Sequence, residues 1–141
     1  MRVSSRADYG VRALFDLALH FGRGPIQSRE IAARQGVPEA YLHQVLGALS
    51  RAGLVRSTRG PAGGHELAKE PREISLWDVL VALDGGFDRH AHPHPTDRMD
   101  DAVHEAWHEL QHRAIDYLSS ITLETLVERE RARQPVPNYS I

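Results

Sequence analysis

Nine histidines stand in 141 residues, and six of them lie between positions 90 and 112. His104, His108 and His112 recur every four residues, a spacing that sets them along one flank of a helix. Two imidazoles one turn apart can chelate a single divalent ion, and neutral imidazole suits Zn²⁺, Ni²⁺, Cu²⁺ or Fe²⁺. His90, His92 and His94 alternate through a proline-interrupted stretch that can fold over that flank as a loop. The same rings can instead answer to protonation near neutral pH or to an organic effector, or serve only as solvated polar residues. On sequence alone all of these readings stand.

The second chemical feature is the run Arg59-Gly60-Pro61-Ala62-Gly63-Gly64. One proline and three glycines set a tight reversal with an arginine at its edge, the composition of a β-hairpin wing. An arginine so placed can reach DNA phosphates or a minor groove. The run lacks the Gly-Lys-Ser/Thr ending of a phosphate-binding loop, and no nucleophile motif is present, so catalysis is not expected.

Composition narrows the class. The chain has no cysteine, which excludes disulfides, zinc–thiolate sites and a cysteine-ligated iron–sulfur cluster. No apolar run approaches the roughly 20 residues of a membrane span, and the N-terminus lacks a signal-peptide layout. A cytoplasmic location, with no membrane partner, is the expectation. The net charge of −2 hides an asymmetry: residues 1–69 carry 10 Lys+Arg against 5 Asp+Glu, and residues 70–141 carry 7 against 14. A basic front half can neutralise phosphates while an acidic rear half stays off the DNA.

Elements that could position these groups follow from periodicity. Ser4 or Ser5 caps a first helix to about Phe21, with a stripe of Ala7, Val11, Leu14, Phe15, Ala18 and Phe21. Ser28 caps a short helix through Gln35. Gly36 turns the chain, and Pro38 begins a third helix that buries Leu42, Val45, Leu46 and Leu49. Its outer face carries Ala40, Gln44, Gly47 and Arg51, with His43 on the flank and Tyr41 on the other side. Small residues at 40 and 47 would let the helix axis approach a groove. His43 and Gln44 could then read base edges while Arg51 holds a phosphate. Strands over Leu54–Thr58 and His65–Ala68 flank the glycine-rich turn. Ser75 and Asp78 form a capping box for a fourth helix that ends at Asp84-Gly85-Gly86.

Thr96 caps a long helix from Asp97 to about Ser120. Val103, Trp107, Leu110, Ala114, Tyr117 and Ile121 then alternate spacings of four and three, a coiled-coil seam. A seam needs a partner, and a second copy of the chain is favoured. Thr122 caps a last helix to about Arg131. The expected fold is mainly α with a small β-hairpin wing, a winged helix-turn-helix plus a long dimerisation helix. Residues 1–84 form the DNA-binding domain, 85–96 a His-rich sensor-like loop, and 97–141 the dimerisation helix, C-terminal helix and tail.

The opening Met-Arg-Val-Ser-Ser-Arg-Ala-Asp-Tyr-Gly, the Gly-Val-Pro-Glu-Ala-Tyr-Leu block, the wing run and Ile-Thr-Leu-Glu-Thr-Leu together resemble the IscR/NsrR-type regulators. These form the Rrf-two family of bacterial winged-helix transcription factors. The resemblance covers nearly the whole chain and implies a dimer built on the long helix. It also implies that Tyr41, His43 and Gln44 face DNA and that Arg59 enters the minor groove. The full set expected at DNA is Arg2, Ser28, Tyr41, His43, Gln44, Arg51, Arg59, Gly60, Pro61 and Gly63. Many family members hold an iron–sulfur cluster on three cysteines and a histidine, and His104 matches that histidine. Asp8 matches a first-helix position that in some members supplies a ligand from the other subunit. The histidine spacing, together with the matches at His104 and Asp8, makes Asp8, His90, His92, His94, His104 and His108 the candidates for a cysteine-free metal site. The expected function is that of a homodimeric repressor on a pseudo-palindromic operator with a His/Asp effector site. Alternatives are an effector-independent DNA-binding regulator and a histidine-rich metal-binding protein that uses the fold as scaffold.

Overall fold

The computed structural model describes residues 3–87 and 101–133. Its elements in chain order are α1 (Ser5–Leu19), α2 (Ser28–Gln35), α3 (Glu39–Arg51), β1 (Val55–Thr58), β2 (Gly64–Leu67), α4 (Leu76–Asp84), α5 (Ala102–Ser120) and α6 (Leu123–Arg133). A single 3₁₀ turn, Pro71–Glu73, joins the hairpin to α4.

Ser4 caps α1 by accepting the Ala7 amide at 3.0 Å. The helix stops at Leu19, two residues short of the sequence expectation. Phe21 therefore leaves the buried stripe and lies 49% exposed in the Gly22–Gly24 turn. α1 is the central strut: Ala7, Ala13, Leu14, Leu17 and Ala18 are buried, and α2, α3, α4 and α6 all pack on it. Gly10 lets α4 come close, because a β-carbon there would collide with Leu83.

The helix-turn-helix follows from local chemistry. α2 starts after Gln27, whose N–H donates to the Glu30 carboxylate at 3.3 Å, so Ser28 is the first helical residue and not the cap. Gly36 adopts φ 66° to end α2. Pro38 stands one residue before α3 as its N-cap, and its carbonyl receives the Leu42 amide. Leu42, Val45, Leu46 and Leu49 are buried as the periodicity requires, with Ala48 beside them.

β1 and β2 pair antiparallel in the register Val55–Leu67, Arg56–Glu66, Ser57–His65 and Thr58–Gly64. Val55 and Leu67 face the core from the root of the hairpin. Ile26 adds a one-residue bridge to His65, exchanging bonds of 3.0 and 2.8 Å, and this fastens the hairpin to the chain entering α2. The Ser75–Asp78 capping box of α4 forms reciprocally at 3.1 and 2.9 Å.

α5 begins at Ala102, where Asp101 accepts the His104 amide at 2.9 Å. The start expected at Asp97 after a Thr96 cap is thus displaced; Thr96 itself lies outside the described residues. None of the 19 residues of α5 is buried. The chain then turns at Ile121, and α6 returns to the body, burying Leu123 and Val127 against α1. Two bonds, Leu76 N–H to the Ile121 carbonyl and Leu123 N–H to the Ile74 carbonyl, clip this turn to the start of α4.

Candidate nucleic-acid interface and histidine flank

Polar contacts tie the start of α2 both to α3 and to the hairpin. The Ser28 hydroxyl, at the start of α2, lies 3.5 Å from Nε2 of His43 on α3. His65 on β2 bonds the Ser57 hydroxyl through Nδ1 at 2.7 Å. Burial lowers the His65 pKa below the ordinary histidine range, and nearby His43 pushes the same way, so the neutral ring suits this setting. Gln27 sends its side-chain amide to the Pro61 carbonyl at 3.4 Å. Gln27, Ser28, Gly60, Gly63, Gly64 and His65 line an open cleft of roughly 310 Å³ between α2 and the hairpin turn.

The expected DNA-facing residues separate on this frame. Gln44, His43 and Arg51 are exposed on α3, and Arg59, Gly60 and Pro61 are exposed at the hairpin tip. Arg51 folds back along its own helix, its guanidinium against the space that a side chain at Gly47 would fill. Gly47 is therefore covered by Arg51. Tyr41 is half-buried, its ring edge-to-face with Tyr9 at 5.2 Å, so its ring serves the α1–α3 contact. Gly63 is buried under the turn, where a β-carbon would collide with the Thr58 carbonyl. Ser28 is also buried. Arg2 lies outside the described residues.

One group escaped the sequence reading. Asp16, fully buried in α1, accepts two bonds from Arg34 at 2.9 and 2.8 Å and one from Gln35 at 3.2 Å. This lock fastens α2 to α1 and so sets where α3 stands. Asp16 raises the Arg34 pKa through that hydrogen bond. A single carboxylate between Phe15 and Leu17, inside an apolar stripe, was the available signal.

α5 carries three of the histidines and an apolar stripe. Val103, Trp107, Leu110 and Tyr117 form an exposed apolar stripe along α5, at 62, 66, 49 and 56% exposure. Ala114 is half-buried. Ile121 does not continue the stripe: it ends the helix at 6% exposure, inside the protomer. His104, His108 and His112 line the neighbouring flank, all exposed. Asp8 is on α1, paired with Arg12 at 3.1 Å. Among the described residues no three His, Asp or Glu side chains converge on a common point. His90, His92 and His94 lie outside the described residues. The flank also contains the spacing H-E-x-x-H twice, His104 to His108 and His108 to His112, which brings His112 into consideration.

Comparison with known proteins bears on this geometry. The model of the Rrf2 family, described as an iron-dependent transcriptional regulator, matches residues 3–129. The chain belongs to the Rrf2 family. It is 34% identical over 137 residues to the HTH-type transcriptional regulator IscR of Photobacterium profundum, covering 95% of this chain and 80% of that protein. The IscR of Photorhabdus laumondii is 38% identical over 135 residues, covering 92 and 81%. The solved structure of T. potens IscR superposes with a TM-score of 0.83 at 38% identity, over 99% of this chain and 95% of that one. CymR, the global cysteine regulator of B. subtilis, also gives 0.83, at 31% identity over 92% of this chain and 98% of that one. This Rrf2 chain is accordingly a DNA-binding transcriptional regulator with a winged-helix fold, and its relatives are regulators, not enzymes. A thiolate-held iron–sulfur cluster does not fit it, because the sequence has no cysteine to supply the ligands. Among the described residues no helix is long and apolar enough to cross a membrane.

For the interface itself, Arg59→Ala should weaken specific DNA binding by about 1–3 kcal/mol if the side chain enters a groove. Fluorescence anisotropy on operator DNA at fixed salt measures this. An affinity equal to that of the unaltered protein would remove Arg59 from the contact.

Proposed function

We propose that the protein is a homodimeric repressor that binds a pseudo-palindromic operator through α3 and the hairpin of each copy. Residues 1–84 supply the DNA-binding unit, 97–141 the dimerisation helix with its C-terminal segment, and 85–96 a loop belonging to the sensor. A non-cysteine site of histidine and aspartate residues senses the effector, in place of the family's cluster. The observation that carries the dimer is α5: 19 residues, none buried, with Trp107 and Leu110 exposed at mid-helix. A lone chain gains nothing by holding such a stripe in water, and a second copy covers it with the same stripe. Two copies also bring two recognition helices to half-sites about one DNA turn apart.

The paired substitution Trp107→Asp and Leu110→Asp tests this. Charges at the centre of an apolar contact should weaken the dimer by roughly a hundredfold or more. Sedimentation equilibrium should then show monomer, and operator affinity should drop while the circular dichroism spectrum is kept. A variant that stays dimeric would move the interface off α5.

A further inference from the structure

α5 arranges its three imidazoles unequally. The His104 and His108 rings are nearly parallel, with centroids 6.3 Å apart and 17° between planes. His108 and His112 meet edge to face with centroids 4.6 Å apart. Metal–nitrogen bonds of about 2.0–2.1 Å require two ligating nitrogens to approach within roughly 3–4 Å of each other. The second pair has the closer ring centres, so it needs the smaller side-chain rotation to bring two nitrogens within that range. All three side chains are exposed, so small rotations about their side-chain bonds cost little. Among the described residues no hydrogen bond or ion pair engages the ring of His108 or His112.

We propose that His108 and His112 are a two-nitrogen site for a divalent transition-metal ion of the zinc, nickel or copper class. The proposal rests on the reading of the histidine flank as an effector site and narrows it to a ligand pair that excludes His104. Glu109, the carboxylate inside the second H-E-x-x-H unit, is held by Arg113 at 2.7 and 3.1 Å. The proposed site does not use it. The ion's remaining positions go to water or to groups of a second copy. The flank is an exposed helix surface, and the proposal is one of ion binding. Chelation across one helical turn also stiffens α5 beside Trp107, which links the ion to the apolar stripe.

Isothermal titration of the untagged chain with Zn²⁺ at pH 7.5 tests the site, with circular dichroism as the check on folding. The expected result is saturable binding that falls about tenfold or more in His108→Ala and in His112→Ala, the scale on which metal-site contacts act. His104→Ala and Glu109→Gln should retain it. Absence of saturable binding overturns the proposal, as does undiminished binding by His112→Ala or an equal loss in His104→Ala. Operator anisotropy with Zn²⁺ and with EDTA separates the underlying reading. Zinc held by this pair without any change in DNA affinity keeps the site and ends the sensor role. A zinc response that survives His112→Ala keeps the sensor and ends this site.

Discussion

Arg34→Met should cost about 3 kcal/mol of folding stability, at the lower edge of what an abandoned buried charge exacts. Asp16 is fully buried, and Arg34 gives it two of its three side-chain bonds, at 2.9 and 2.8 Å. Methionine keeps the length and apolar stem of the side chain but leaves the carboxylate with Gln35 alone, at 3.2 Å. His20 is 3.9 Å away and already directs Nδ1 to the Asp16 carbonyl, so it offers limited relief. Asp16→Ala should cost less, because the Arg34 side chain is 40% exposed and can return to water. Urea denaturation of the two single variants and the double variant measures both costs and their coupling. A loss below about 1 kcal/mol in Arg34→Met would mean that the carboxylate finds other partners. Because the pair fastens α2 to α1, the destabilised variant should also bind operator less tightly.

Gly64→Ala should be at least as costly and should strike DNA binding more directly. Gly64 has φ 150°, and a β-carbon there would lie 2.6 Å from the Ile26 carbonyl oxygen and 2.9 Å from the Ile26 nitrogen. The obstacle is backbone, which cannot rotate away. The Ile26–His65 bridge must open, giving up its bonds of 3.0 and 2.8 Å and freeing the hairpin from the α2 entry. Backbone strain of about 1–3 kcal/mol and two hydrogen bonds of about 1 kcal/mol each set the scale. Gly60 provides the control. Its φ is 105°, but nothing lies within 4 Å of an added β-carbon, so Gly60→Ala bears conformational strain alone. Thermal melting and operator anisotropy should place Gly64→Ala well below Gly60→Ala on both scales. Equal behaviour of the two would show that the hairpin does not depend on its bridge to Ile26.

Much of this was legible beforehand where neighbours in sequence are neighbours in space. The α3 stripe of Leu42, Val45, Leu46 and Leu49, the Ser75–Asp78 box and the glycine-rich turn between two short strands all depend on contacts within a few residues. Capping at Thr122 was likewise readable, since its hydroxyl accepts the Thr125 amide at 3.1 Å. Errors of a residue or two arose at helix ends: Gln27 in place of Ser28, Pro38 outside α3, Leu19 in place of Phe21. There several polar residues compete for the same unpaired amides, and local pattern does not rank them. The contact of Tyr41 was hidden for a different reason. Its position on the edge of α3 was clear, but its contact with Tyr9 on α1 lies 32 residues away in sequence and leaves no trace in the α3 pattern.

The sequence by itself determined the winged-helix order, the basic and acidic halves, the family, and the exclusion of thiolate chemistry, because each depends on residue type, local spacing or composition. Tertiary structure decided that Asp16 and Arg34 lock the two helices, that Gly64 must pass beside Ile26, and that Ile121 turns inward while Trp107 stays in water. It also set the ring of His108 edge to face with His112 at 4.6 Å and nearly parallel to that of His104 at 6.3 Å. Equal spacing along the chain makes the two histidine pairs identical on paper. Side-chain directions around a real helix make them different in space.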